Sequence, residues 1–260
     1  MKKRKLIYVS VLSIFFILSF YIIRNHIEKK RDYTFQFPCG VAPNLLNDIR
    51  LDSLGVELVF DAPYKWNKET LRVFFVDIKD ENLKEKTLKI ANKWSRYSNI
   101  KFELSKSIFR SEIRVSFYAK NGYSSAVGNQ AKDKSYLRKP TLSLQNLQKQ
   151  SDAEFKRVVL HEFGHAIGLQ HELQSPASTI DWDSIKVYDY YLKVYKWDKA
   201  MVNHNILTKI NTEDYTDFDS KSIMIYAIPD SLTKNHTAIP WPSDLSNTDK
   251  KTIGKFYPTK

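Results

Sequence analysis

Hydrophobic positions change their period several times along the chain. Residues 72–77, RVFFVD, are β-branched and aromatic, the composition of a strand, so ordered structure is expected to begin near Leu71. Between 80 and 97, Leu83, Leu88, Ile90, Ala91 and Trp94 fall at helical spacing. Strand patterns return at 100–104, 113–118 and 141–145. A strand, a helix and then further strands predict an α+β or α/β half-domain. Ser151 and Glu154 have the spacing of a capping box and open another helix, whose apolar stripe is Phe155, Val159, Phe163, Ala166 and Ile167. Beyond His171 the pattern loosens. Residues 182–197 carry Tyr188, Tyr190, Tyr191 and Tyr195 in one amphipathic stretch, read as the core of a second sub-lobe rather than a ligand platform. A last helix fits 247–256, capped by Ser246 or Asn247.

The amino-terminal pattern is different in kind. Residues 6–23, LIYVSVLSIFFILSFYII, carry no charge and follow the basic run KKRK. As a helix this stretch rises about 27 Å, close to the thickness of a hydrocarbon core. It ends in YIIRNH without a small-residue cleavage step, so 6–23 is expected to be an uncleaved signal anchor and transmembrane helix. Residues 1–5 then form a basic cytoplasmic tip, 24–61 a stalk or pro-segment, and 62–260 an outward-facing domain at the cell membrane, periplasmic or extracellular. Secretion after cleavage is the alternative.

Charge and composition narrow the classes. Of the formal net charge of +12, residues 1–31 hold +7, from eight Lys/Arg against Glu28, which leaves +5 for the rest. The basic excess therefore belongs to the targeting segment, and no nucleic-acid partner is expected. One cysteine excludes an internal disulfide framework and a Cys-based zinc finger, and seven glycines exclude Gly-rich phosphate loops and collagen-like repeats.

Candidate chemistry concentrates in HEFGHAIGLQHE, residues 161–172. His161 and His165 are four apart on the predicted helix, so both imidazoles leave one face and can bind one zinc ion. Gly168 can adopt the positive φ that ends the helix and brings His171 round as a third ligand. Glu162, beside the first ligand, can reach a water on the metal without coordinating it. Three of six histidines and two of seven glycines fall in this short window, which chance does not explain. Downstream, Ser222-Ile-Met224-Ile-Tyr226 places one of only three methionines two residues before a tyrosine.

HEFGHAIGLQHE followed by SIMIY resembles the metzincin zinc peptidases, and within them the astacin family. Similarity extends through GYSSAVG (122–128) and TLSLQ (141–145), which look like the family's substrate-edge strand and the strand before the active-site helix. DFDSKSIMIY resembles its Met-turn and LSNTDKKTIGKFYP its closing helix. Glu172 after the third histidine, and the lack of Gly/Asp-rich calcium repeats, fit matrixins and serralysins less well. Two departures stand out: the disulfides of animal astacins cannot form here, and LQSPAST replaces the Arg-rich stretch after the third histidine.

The resemblance implies an α+β, two-lobed zinc peptidase domain: a twisted mixed sheet with the active-site helix, then a loop-rich lower lobe. It implies one Zn²⁺ held by His161, His165 and His171, and a metalloendopeptidase acting on peptide or protein substrates. Glu162 would be the general base and Tyr226 a distant fifth ligand that swings to the oxyanion. Met224 would form the hydrophobic base under the metal, and Glu172 would anchor a processed N-terminus unless it is a solvated surface residue. Cys39, in PCGV, is read first as a free thiol without a role; it resembles the pro-segment cysteine of matrixins and is a possible latency ligand, with Asp61 as rival for that part. The alternatives to a peptidase are a catalytically retired, membrane-anchored zinc module and a zinc hydrolase of non-peptide substrates.

Overall fold

The computed structural model describes residues 64–259 except 121 and 211–214. The 6–23 segment, Cys39 and Asp61 lie outside the described residues. Among the described residues no helix is long and apolar enough to cross a membrane.

Five strands form one mixed sheet in the order β2-β1-β3-β5-β4. They are β1 (Thr70–Phe75), β2 (Lys101–Leu104), β3 (Ile113–Ser116), β4 (Tyr123–Ser125) and β5 (Leu142–Leu144). β2, β1, β3 and β5 run parallel, and β4 pairs antiparallel with β5 at the edge, Tyr123 opposite Leu144. Every residue of β3 and β5 is buried, as expected of parallel strands covered on both faces. Helices α1 (Glu81–Ala91) and α2 (Asp152–Ala166) pack against each other and the sheet, with Phe102 of β2 edge-on to Phe163 of α2 at 4.9 Å. The predicted two-lobed α+β arrangement is present. A second core gathers below the first from Leu173, Val187, Tyr191, Val202, Ile206, Ile225, Tyr226, Ile228 and Leu232. Its helices are α3 (Ser184–Tyr195) and α4 (Lys199–Val202), so the tyrosine-rich stretch is indeed core. Helix α5 (Asn247–Phe256) closes the chain, its N-cap being Ser246.

Boundaries differ from the sequence pattern for identifiable reasons. Order begins before Leu71: Trp66 is buried, its N–H donating to Tyr257 Oη at 3.0 Å. β1 stops short of Asp77, whose carboxylate accepts from the N–H groups of Phe117 and Tyr118 and so ends the strand. The helix expected over 80–97 breaks after Ala91. The Asn92 side chain acts as a strand edge there, accepting from Phe102 N–H at 3.0 Å and donating to Phe102 O at 2.9 Å. Only one 3₁₀ turn, Trp94–Arg96, follows. The Ser151 hydroxyl caps α2 through Glu154 N–H at 3.2 Å, while the Glu154 carboxylate pairs with Arg157.

Three aromatic donors fix α2 from outside. Trp94 Nε1 donates to Leu160 O at 3.0 Å, Trp66 Nε1 to Ala166 O at 2.8 Å, and Tyr257 Oη to Ile167 O at 3.0 Å. The last two satisfy carbonyls that a helix end leaves open. Helix α2, which bears His161, Glu162 and His165, is therefore held along its length and at its C-terminus.

Candidate metal centre

Helix α2 ends in a Schellman motif. Gly168 has φ +104°, a conformation costly to any residue with a Cβ. Its N–H donates to His165 O at 2.8 Å, and Leu169 N–H donates to Gly164 O at 3.0 Å. This reversal does two things for the site. It places Leu169 O within 2.7 Å of His165 Nδ1, and it turns the chain so that His171 returns to the two helical histidines.

The three imidazoles converge. Their ligand nitrogens lie within 4.8 Å of one another, and His165 Nε2 and His171 Nε2 are 3.0 Å apart. All three rings are buried, His165 and His171 with no exposed surface. Burial is the main reason their pKa values fall below the ordinary value, His165 to about 4, with mutual repulsion adding to the shift for His161 and His171. They are thus neutral near pH 7, the form that binds a metal. Second partners set the tautomers: His161 Nδ1 faces Ile223 O at 2.7 Å and His165 Nδ1 faces Leu169 O. In each the Nδ1–H donates to a carbonyl and leaves the Nε2 lone pair for the centre. His161 Nε2 is buried without any hydrogen-bond partner. A buried, orphaned nitrogen beside two others is what a tetrahedral ion with nitrogen ligands would satisfy, and zinc fits this donor set.

Around this cluster the structure places the other sequence candidates. Glu162 is buried next to His161 on α2. Tyr226 Oη lies 2.7 Å from His171 Nε2, its ring 4.6 Å from the His171 ring. Met224 is fully buried under α2, and a Cβ at Gly164 would collide with its Sδ and come within 3.2 Å of Trp94 Cζ2. The first glycine of the motif is there because methionine packs against the helix backbone.

Glu172 is not a solvated surface residue. It is fully buried, Oε1 accepting from Asp219 N–H at 2.7 Å and Oε2 having no partner. Burial, opposed by the Asp219 N–H bond, pushes its carboxyl up to about 8. The sequence pattern also missed several neighbours. Arg157, one turn before His161 and ion-paired with Glu154, lies 3.8 Å under the Trp241 ring, and Trp241 in turn stands 6.4 Å from the Tyr226 ring. The Arg157 spacing to His161 was visible; its partner Trp241, far downstream, was not. Asp249, which touches the Met224 turn, could have been suspected only from the Ser246-x-x-Asp249 capping pattern.

The family model of the astacin peptidases matches residues 59–257. A structure of myroilysin is 35% identical, covers 77% of this chain and 98% of its own, and superposes with a TM-score of 0.71. A second myroilysin crystal structure is 32% identical over 86% of this chain and 100% of its own, with a TM-score of 0.58. High choriolytic enzyme 1, a hatching-enzyme zinc protease of the medaka fish Oryzias latipes, shares the fold at 16% identity, covering 77% of this chain and 98% of its own, with a TM-score of 0.51. No curated protein sequence matches the chain.

The Glu172 environment has a measurable consequence. Its folded pKa, about 8, exceeds the ordinary value of 4.5, so the neutral acid favours folding at low pH and that contribution is lost as pH rises through about 8. In the full-length protein, Glu172→Gln is expected to be stabilised relative to wild type by an amount growing from pH 5 to pH 9, on the order of a few kcal/mol at the top. Urea unfolding of both proteins across that range reads it; a pH-independent difference refutes the raised pKa of the buried carboxyl.

Proposed function

Because this chain belongs to the astacin family and is a zinc-dependent metalloendopeptidase, we propose that it cleaves peptide bonds with Glu162 as general base and Tyr226 as oxyanion donor. The convergence of His161, His165 and His171 on one buried point, with Glu162 beside it, carries this reading. Zinc held by the three imidazoles would acidify a water toward pKa about 7 and polarise the scissile carbonyl.

What the side chains contribute follows from their places. Glu162 accepts the proton of the attacking water and hands it to the leaving amine. Tyr226, whose hydroxyl already reaches the His171 nitrogen, turns that donor to the oxygen that becomes negative; one such donor is worth about 2.7–4 kcal/mol. Ile223 O and Leu169 O hold two of the imidazoles in the tautomer that keeps Nε2 free. Strand β4, last in the order of the described strands, suits an extended peptide as an added strand. An extended substrate laid there would run past Tyr123, whose burial raises its hydroxyl pKa to about 12 and keeps it neutral.

Two proposals concern the chain outside the described residues. Residues 6–23 anchor the enzyme in a membrane with the catalytic domain outside, and Cys39 restrains activity by offering its thiolate to the metal.

Three experiments separate these claims. Glu162→Ala is expected to keep a full equivalent of zinc and to lose peptide cleavage by at least about 10²-fold; undiminished cleavage rejects the assignment. On carbonate wash the full-length protein should remain with membranes, and in intact cells its catalytic domain should be reachable by protease only from outside, whereas a soluble form beginning after residue 23 means secretion. Cys39→Ser should raise the cleavage rate of the full-length protein, and equal rates remove the latency role.

A further inference from the structure

The Ile223–Met224 segment, under the metal centre, has every main-chain polar group engaged. Ile223 N–H donates to Asp249 Oδ2 at 2.8 Å, and Ile223 O holds His161 Nδ1 at 2.7 Å. Met224 N–H donates to Ser222 Oγ at 3.0 Å, and Met224 O accepts from Glu172 N–H at 3.0 Å. Two of these four bonds therefore end on a proposed metal ligand or its chain neighbour. The other two end on Asp249, one directly and one through Ser222, whose hydroxyl donates to Asp249 Oδ1 at 2.6 Å. Asp249, Ser222 and His161 are all buried, so no water competes for these bonds.

Ile223 O and Met224 N–H are the two ends of one peptide group. A carboxylate that draws on Ser222 O–H makes Ser222 Oγ a better acceptor for Met224 N–H. Polarising that N–H puts more negative charge on the carbonyl oxygen of the same peptide, since hydrogen bonds in a chain reinforce one another at low dielectric. The recipient of that charge is the His161 Nδ1–H. A stronger pull there holds the ring orientation and tautomer and raises the donor strength of Nε2, as carboxylates bonded directly to metal-binding histidines do.

We propose that Asp249 of helix α5 is a positioning residue for the metal centre, acting on His161 through Ser222 and the Ile223–Met224 peptide. The proposal rests on zinc being held by His161, His165 and His171. Asp249 also has a purely structural role, because it completes the α5 capping box: Ser246 N–H donates to Oδ2 at 2.7 Å, and Asp249 N–H donates to Ser246 Oγ at 3.0 Å. Ser246 shares the cap but has no bond to the turn, so it separates the two roles.

The test measures zinc affinity of the full-length protein by competition with a chromogenic chelator, beside the thermal unfolding of each zinc-free protein. Ser222→Ala and Asp249→Asn are expected to weaken zinc binding 10–100-fold. Ser246→Ala should lower the unfolding temperature yet leave zinc affinity within about twofold, since it breaks the cap alone. Asp249→Asn keeps the side-chain volume and decides the matter if Ser222→Ala fails to fold. Zinc affinities within twofold of wild type for both relay variants overturn the proposal, as does an equal loss in Ser246→Ala. If the wild-type protein binds no zinc, the metal reading falls and this proposal with it; normal wild-type binding with unaltered variants removes the relay alone.

Discussion

An imidazole taken out of water must place both ring nitrogens, and three of them turned toward a common point multiply the problem. Burial, reinforced by mutual repulsion at His161 and His171, forces His161, His165 and His171 into the neutral state. Neutrality leaves each ring one donor and one acceptor, so each needs a carbonyl behind it and an electron-pair acceptor before it. For His161 and His165 the carbonyls are supplied by main chain whose own position is over-determined: a fully bonded turn in one case and a helix-ending motif in the other. The electron-pair acceptor is the metal. Much of the surrounding structure can be understood as the means of holding those two carbonyls still.

That requirement ties the two lobes together. Ile223 and Met224 belong to the upper core with the sheet and α2, while Ile225 and Tyr226 belong to the lower core with α3. One short segment thus gives a carbonyl to a metal ligand, a thioether to the underside of the helix and a phenol to the His171 nitrogen. Met224 suits the first core because a flexible, polarisable chain fills the irregular space that Gly164 leaves. The neighbouring tyrosine suits the second because its ring is buried while its hydroxyl reaches the polar site.

The ligand set was legible because its determinants are local. The i, i+4 spacing follows from the helical period, and the turn to His171 follows from a glycine's access to positive φ. Strand and helix identities were legible for the same reason, in the periods of Leu71–Phe75 or Phe155–Phe163. What escaped the pattern depends on partners remote in sequence. Asn92 ends α1 because it pairs with Phe102, and nothing in the apolar spacing through Trp94 signals that exchange. Glu172 carries the same letter whether solvated or buried, and only the fold encloses it. Asp249 reads as an ordinary helix-start acid until the turn it touches is brought beside it. Local physics thus encoded the histidines, and tertiary contact encoded what orients them.

Helix α5 follows every other described element along the chain, and a ribosome releases it after all of them. During synthesis α2 and its histidines emerge well before α5, with no carboxylate yet available to Ser222 and no Tyr257 to close the helix end. At about 5–20 residues per second, the interval between His171 and Asp249 lasts on the order of several seconds. Over that interval the nascent chain holds the ligands of a hydrolase without the framework that aims them. The order in which the residues are strung together therefore delays completion of the cutting apparatus until nearly the whole domain exists.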